Sequence, residues 1–401
     1  MWNYLNTRNG IARIKIAIKR WLPYIIEDLR CGILNQIGDL FRLIGIHAEI
    51  KNIAVKVGIV KVQKSTSPPL PAKPVAQELT APVKKPLIFV SYCAGAYLPG
   101  SLKFSGGTKE LNYLVKLLRK HGYEAYTVTY DGCYEPWLLD HQPHISMNQF
   151  SHMISEAPNV RCVTSWADAT AFIQASPSIY FWDMELAYTE SHFSILAKLY
   201  SQKLRNTACI TRTIQAWHMA NFQRSCTLLP NLLDDSLWSP LPAQRQSRRI
   251  GYMNEGPHTE AYLALVRDVV QENKLNLEFQ LIKGIETDVL AGMRSCSVFL
   301  SMNIGKDSLW GEGCPRTVIE ALATGCVVIA FDIIGNREII QDNFNSILVP
   351  RYCPDLMAAA LVRLYTHCGE IDRLRTNALA LLQACHTFDA RWPAVENFLH
   401  L

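Results

Sequence analysis

Two glutamates separated by seven residues, Glu312 and Glu320, bracket the stretch of this 401-residue chain whose side chains are best suited to chemistry. Between them stand Gly313, Cys314, Pro315, Arg316 and Thr317. Proline is favoured at the first position of a helix, where its missing N–H costs nothing. The sequence therefore predicts a helix beginning at Pro315. The amides of Arg316 and Thr317 would then point outward from the first turn, with the positive end of the helix dipole behind them. Such a helix start suits a diphosphate, and it stabilises a leaving diphosphate as negative charge develops. Glu320, about one and a half turns further on, can accept two hydrogen bonds from a vicinal diol such as a ribose. Glu312, on the preceding loop, can accept from sugar hydroxyls.

Those groups need a scaffold that holds them at the end of a strand. An apolar run, Ser297–Ser301, precedes them, and a β-branched run, Cys326–Phe331, follows, so the pattern is strand, loop, helix, strand. Upstream, a strand at Arg248–Tyr252, a helix over about 258–272, a strand at Leu277–Ile282, a Lys283–Gly284 loop and a helix over 287–295 repeat the alternation. The first half opens in the same way. Leu87–Tyr92 is a buried strand, Gly95–Gly107 a loop of small residues, and Thr108–His121 a helix carrying Leu111, Leu114, Val115, Leu117 and Leu118 on one face. Gly122 takes the usual C-terminal glycine position, and Tyr126–Tyr130 is the next strand. Alternating β and α elements imply a parallel, doubly wound sheet, with ligands at the carboxyl ends of its strands.

The stretch Gly311–Ala330 resembles the E-x7-E motif of retaining GT-B glycosyltransferases, the large family 4 group that uses nucleotide-activated sugars. Asp332–Ile340, with Gly335 and Glu338, resembles that family's Gly-x-x-Glu turn and helix. Asn343–Pro350 resembles its Asn-Gly-hydrophobic turn, with Ser346 in place of glycine. The resemblance covers about residues 86–401 and is strongest over 284–350. It implies an α/β GT-B fold with two Rossmann-like doubly wound domains facing a cleft: an acceptor domain over 86–246, a donor domain over 247–385, and a terminal helix over 386–401 crossing back to the first. It implies retaining transfer without a metal and with no cofactor beyond the nucleoside diphosphate sugar as co-substrate. In the implied site Glu312 contacts the sugar, aided by Asp183 at the end of the strand Ile179–Asp183. Gly313, Cys314, Arg316 and Thr317 hold the phosphates, Glu320 the ribose, and the Lys283–Gly284 loop the base. Gly106 and Gly107 resemble the glycine pair that lets acceptor and donor phosphate approach the backbone. From the residues alone, that pair is also a tight turn needing positive φ, Asp183 a turn or capping residue, and His192 and His218 packed or surface histidines. One departure stands out. After Gly251, where the family sets an arginine and a lysine to clamp the diphosphate, this chain reads Met253-Asn254-Glu255-Gly256-Pro257-His258. Arg316 and Lys306 are the candidate replacement cations.

A hydrophobic content of 49% and a charged content of 19% describe a globular chain, long enough for two or three domains. Twelve cysteines without a C-x-x-C pair point to thiols in a reducing cytosol, not to a disulfide framework or a zinc site. No apolar run reaches the roughly 20 residues of a membrane span, and the first residues lack a secretory pattern. The net charge of +5 is uneven: residues 1–62 hold ten Lys/Arg against four Asp/Glu, and the other 339 residues hold 30 against 31. In that basic segment Ile11, Ile14, Ile18, Leu22, Ile25 and Leu29 mark one face of a helix, with Lys15, Lys19 and Arg20 mostly off it. Such a helix either lies on an anionic membrane surface or packs on the body or on a neighbouring helix. Residues 63–85, with five prolines, form a solvated linker. The near-neutral body, and a basic segment without interleaved aromatics, argue against nucleic acid. With the resemblance, the sequence implies a cytoplasmic transferase, peripheral on the inner face of the membrane, acting on a saccharide or lipid-linked acceptor in polysaccharide or glycoconjugate synthesis. A nucleotide-sugar epimerase or hydrolase, or an inactive binding module on the same fold, are the alternatives.

Overall fold

Apolar runs bounded by glycine and polar turns account for most of the strands. The computed structural model describes residues 85–91, 105–165, 170–185, 190–256, 258–304 and 314–401. The basic segment (1–62) and nearly all of the Pro-rich linker lie outside the described residues. The first lobe runs β1 (Leu87–Ser91), α1 (Gly106–Lys120), β2 (Ala125–Thr129), β3 (His144–Ser146), α2 (Met147–Glu156), β4 (Val160–Thr164), α3 (Thr170–Ala175), β5 (Ile179–Asp183), α4 (Glu190–Gln202), β6 (Leu204–Cys209), α5 (Arg212–Phe222) and β7 (Thr227–Leu228). Its strands are all parallel, in the order β3-β2-β1-β4-β5-β6-β7. Alternation along β1 feeds two cores. Ile88 and Val90 pack with the leucines of α1, while Phe89 turns to the other face, edge-on to Phe150 at 5.0 Å.

The second lobe runs β8 (Arg249–Tyr252), α6 (Thr259–Glu272), β9 (Glu278–Leu281), α7 (Glu286–Ser295), β10 (Val298–Ser301), α8 (Arg316–Ala323), β11 (Val327–Phe331), α9 (Ile334–Arg337), β12 (Ile347–Val349), α10 (Pro354–Thr366) and α11 (Glu370–Cys385). Its sheet is also parallel, in the order β12-β11-β10-β8-β9. β11 is buried at all five positions, as a strand covered by helices on both faces should be. Each large apolar side chain there stabilises the fold by about 1.5–3 kcal/mol relative to exposure. The chain ends in α12 (Phe388–Leu399), which returns to the first lobe. There Asn206 Nδ2 donates to the Phe398 carbonyl at 2.9 Å, and Arg161 Nε to that of Leu399 at 3.0 Å.

Strand order reverses between β1 and β4 in the first sheet and between β8 and β10 in the second. In open parallel sheets the ligand crevice lies outside the carboxyl ends of the strands at such a switch point. α1 and α8 both begin near these ends.

Candidate active site

Helix α8 opens and closes by local rules. Pro315 has φ −64° and ψ 115°, an extended ψ, so it stands just outside the helix as its cap and Arg316 is the first helical residue. The expected start is thus one residue early. The helix ends in a Schellman motif: Cys326 N–H donates to Ala321 O at 2.9 Å and Gly325 N–H to Leu322 O at 3.0 Å. Gly325 supplies the left-handed φ of 87° this requires. Arg245 Nη2 donates to Thr324 O at 2.7 Å, placing a cation at the negative end of the dipole.

The first turns of α8 and α1 meet in a buried ion cluster between the lobes. Lys109 Nζ lies 2.8 Å from Glu320 Oε1 and 3.0 Å from Glu286 Oε1. Arg316 Nε donates to the same Glu320 oxygen at 2.9 Å, while its Nη1 pairs with Glu110 and donates to Leu232 O at 3.0 Å. Glu286 Oε1 also accepts from the Tyr113 hydroxyl at 3.2 Å, and its Oε2 accepts from Leu139 N–H at 2.7 Å. Trp238 Nε1 donates to Tyr113 at 2.8 Å, and its ring lies 4.9 Å from Lys109 Nζ. The five charged residues are only 1% to 6% exposed. Three carboxylates and two cations removed from water carry a desolvation cost that only mutual pairing offsets. Burial raises the Glu320 carboxyl, but Lys109 and Arg316 outweigh it and hold the group below its ordinary range. Burial also raises Glu110; there Arg316 and the Leu232 N–H oppose it without outweighing it, and the carboxyl stays above its ordinary range. Arg316 Nη2 is buried without a hydrogen-bond partner.

The predicted site residues have different fates. Glu320 and Arg316 lie side by side, but they face each other and α1. The Arg316 charge expected for a diphosphate is engaged by internal carboxylates. Cys314 is buried, with its carbonyl accepting from Asn231 Nδ2 at 3.3 Å. Thr317 is half-buried, its hydroxyl turned to Glu255. Gly106 and Gly107 belong to the first turn of α1, capped by Ser105, and neither has a positive φ. A Cβ on Gly106 would touch the Arg316 side chain at 3.5 Å, so this glycine faces the ion cluster. Lys283 and Gly284 are exposed. Gly284 has φ 114°, and a Cβ there would collide with the Asp288 carboxylate, which accepts from Ile285 N–H at 3.3 Å. This turn starts α7 and thereby sets Glu286. Glu312, Gly313 and Lys306, and the side chain of His192, lie outside the described residues.

Asp183 is paired inside the first lobe. It ends β5 as expected but is 1% exposed. Its Oδ1 accepts from Glu185 N–H at 3.1 Å, and its Oδ2 lies 2.6 Å from His218 Nε2. His218 Nδ1 is 2.8 Å from the Tyr200 hydroxyl, which is 3.1 Å from Thr207 Oγ1. Both carboxylate oxygens thus face in-chain donors, in a buried chain that ties β5 to α4, α5 and β6.

Three charged residues of the ion cluster escaped the sequence reading, Lys109, Glu110 and Glu286, and Glu255 was read only as part of the missing clamp. A signal was present for two of them. Lys109 and Glu110 share a helical face with Tyr113, Leu114 and Leu117, which are buried.

Residues 250–367, from β8 through α10, match the family model for Glycosyl transferases group 1. Phosphatidyl-myo-inositol mannosyltransferase of Mycobacterium tuberculosis is 36% identical over 90 residues; the match spans 22% of this chain and 22% of that protein. Among solved structures, HepE of Anabaena in complex with UDP superposes with a TM-score of 0.59 at 14% identity, covering 79% of this chain and 100% of that one. Sucrose-phosphate synthase of Thermosynechococcus elongatus gives 0.59 at 14% identity, covering 78% and 97%. A glycosyltransferase from Rickettsia africae gives 0.57 at 14%, covering 78% and 98%. The fold is therefore GT-B: two Rossmann-like parallel sheets with helices.

Proposed function

We propose that this chain is a retaining glycosyltransferase that moves a sugar from a nucleoside diphosphate sugar to an acceptor hydroxyl, with no metal or further cofactor. The observation that carries this reading is the position of α8. Its N-terminus opens at the switch point of the second sheet, inside the segment that matches the Glycosyl transferases group 1 model. The amides of Gly313, Cys314, Arg316 and Thr317 and the helix dipole stabilise the leaving diphosphate, and Glu312 contacts the transferred sugar. For Glu320 to accept from the ribose, its pairing with Lys109 has to give way. Donor binding is then coupled to the seam between the lobes.

The test is calorimetric titration of the full-length protein with nucleoside diphosphates and their sugars, followed by product analysis with and without acceptor. Glu320→Gln is expected to weaken donor binding by about ten-fold, and Glu312→Ala to lower turnover by roughly a hundred-fold or more. Product formed without acceptor would mean hydrolysis or epimerisation, and an inverted anomeric centre by NMR would refute retention. A binding module without transfer chemistry is the second reading. It is favoured by the engagement of Lys109 and Arg316 with internal carboxylates, and absence of turnover with any donor would select it.

The acceptor we assign is a saccharide or lipid-linked hydroxyl in polysaccharide or glycoconjugate synthesis, reached from the cytoplasmic membrane face. The basic residues 1–62 and the phosphatidyl-myo-inositol in the name of the matched mannosyltransferase support it. The described residues hold no helix long and apolar enough to cross a membrane. Full-length protein should co-sediment with anionic vesicles, and a deletion of 1–85 should not; equal partition would discard the membrane contact.

A further inference from the structure

The second sheet reverses its strand order between β8 and β10, so its ligand crevice lies outside the carboxyl ends of those two strands. A carboxylate of this chain already sits there. Glu255, three residues past β8, accepts from Met302 N–H at 2.6 Å through Oε2, and both of its oxygens lie 3.3 Å from Ser301 Oγ. Its Oε1 also accepts from Thr317 Oγ1 at 3.4 Å. Ser301 ends β10, Met302 follows it directly, and Thr317 is in the first turn of α8. One backbone amide and two hydroxyls thus converge on an anion at the positive end of a helix. This is the donor set that would hold a phosphate oxygen.

We propose that Glu255 is a built-in anion that occupies the phosphate seat of the donor site and must be displaced before a donor diphosphate binds. It thereby sets donor affinity. The proposal rests on the glycosyltransferase reading above. Two anions cannot share one set of donors without a like-charge penalty, so a diphosphate has to expel the carboxylate or bind beside it weakly. Gly256 follows Glu255 directly, with φ 152°, and a Cβ there would find nothing within 4 Å. Glu255 N–H is held by Thr259 Oγ1 at 3.1 Å, at the start of α6, so the side chain can swing while its main chain stays anchored.

The experiment titrates the full-length wild type, Glu255→Gln and Glu255→Ala with UDP, GDP, ADP and inorganic pyrophosphate by calorimetry, at fixed ionic strength, with and without Mg2+. Thermal melts check that each variant is folded. The expected result is that both variants bind the preferred nucleoside diphosphate, and pyrophosphate, roughly ten-fold or more tighter than wild type, with or without Mg2+. Equal affinity in all three proteins would overturn the proposal and leave the glycosyltransferase reading standing. Weaker binding in both variants would overturn it by making Glu255 a favourable ligand contact. Binding that needs Mg2+ in wild type and is lost in Glu255→Gln would overturn it in favour of a metal bridge. No nucleotide binding by any of the three would overturn both the proposal and the reading it rests on.

Discussion

Lys109 directs one ammonium at two carboxylates of the opposite lobe, Glu286 and Glu320, at 3.0 and 2.8 Å. Deep pairs of this kind give little net stability over an apolar replacement, but removing one partner strands the others without water. Lys109→Met is therefore expected to cost about 3–5 kcal/mol of unfolding free energy, read by urea denaturation. Adding Glu320→Gln should recover part of the loss, since one stranded charge is neutralised. A single variant within about 0.5 kcal/mol of wild type would show that water already reaches the cluster. At this scale the sequence was half legible. The spacing of Glu312, Arg316 and Glu320 located α8 as the centre of the site, because a helix start and its phosphate-friendly amides are local properties. What Glu320 and Arg316 touch was not legible, because their partners outside α8 come from α1 and from Leu232, 84 to 211 residues away. Glu255 stood in plain view as a missing basic clamp, but that it is an acid seated where an anion belongs depends on where β10 ends.

The same divide between local and distant causes governs the elements. β11 and β10 were readable because they are uninterrupted apolar runs buried on both faces. α1 was readable from its leucine stripe and from Gly122, which has φ 75°. β4 and β6 were not. β6 reads Leu204-Arg205-Asn206-Thr207-Ala208-Cys209, polar for half its length. The reason lies at the far end of the chain: Asn206 donates to Phe398 O in α12, so a side chain that looks like a loop signal is satisfied by a helix almost 200 residues later. The turn at Asn345-Ser346 shows the reverse. Serine stands where the resemblance implies glycine, yet both residues are buried. Ser346 Oγ accepts from Val328 N–H at 3.1 Å, and Asn345 Nδ2 donates to Ile339 O at 3.0 Å. The side chain takes over a backbone amide of β11, so the substitution is built into the sheet edge.

For the molecule as a whole, the seam between the lobes has a second fastening at the segment joining α11 to α12. His386 is 4% exposed, its carbonyl accepts from Leu233 N–H at 2.9 Å, and its Nδ1 lies 3.2 Å from Arg391 Nη2. Burial, and then the adjacent guanidinium, pull the imidazole down to about 3 from its ordinary 6.5. The folded chain therefore keeps His386 neutral while the unfolded chain protonates it near 6.5. The unfolded state binds more protons between these values, so stability is full above pH 6.5 and falls as pH drops toward 3. The slope from this one group is up to about 1.4 kcal/mol per pH unit. Glu320 adds to the loss only below its ordinary range, since its carboxyl is held low by Lys109 and Arg316. Glu110, held above its ordinary range, and His121, His141 and His144, held low by burial, also bind protons differently in the two states, so the difference between wild type and a His386 variant is what isolates this imidazole. Melting temperatures of wild type and His386→Gln across pH 8 to 5 should run level at the alkaline end and diverge below 6.5, with the wild type falling more steeply. The variant's absolute stability is immaterial to this reading, because the slope is what reports the proton. Parallel curves through the window would mean that the imidazole is solvated in the folded chain and that the joint between α11 and α12 is open to water.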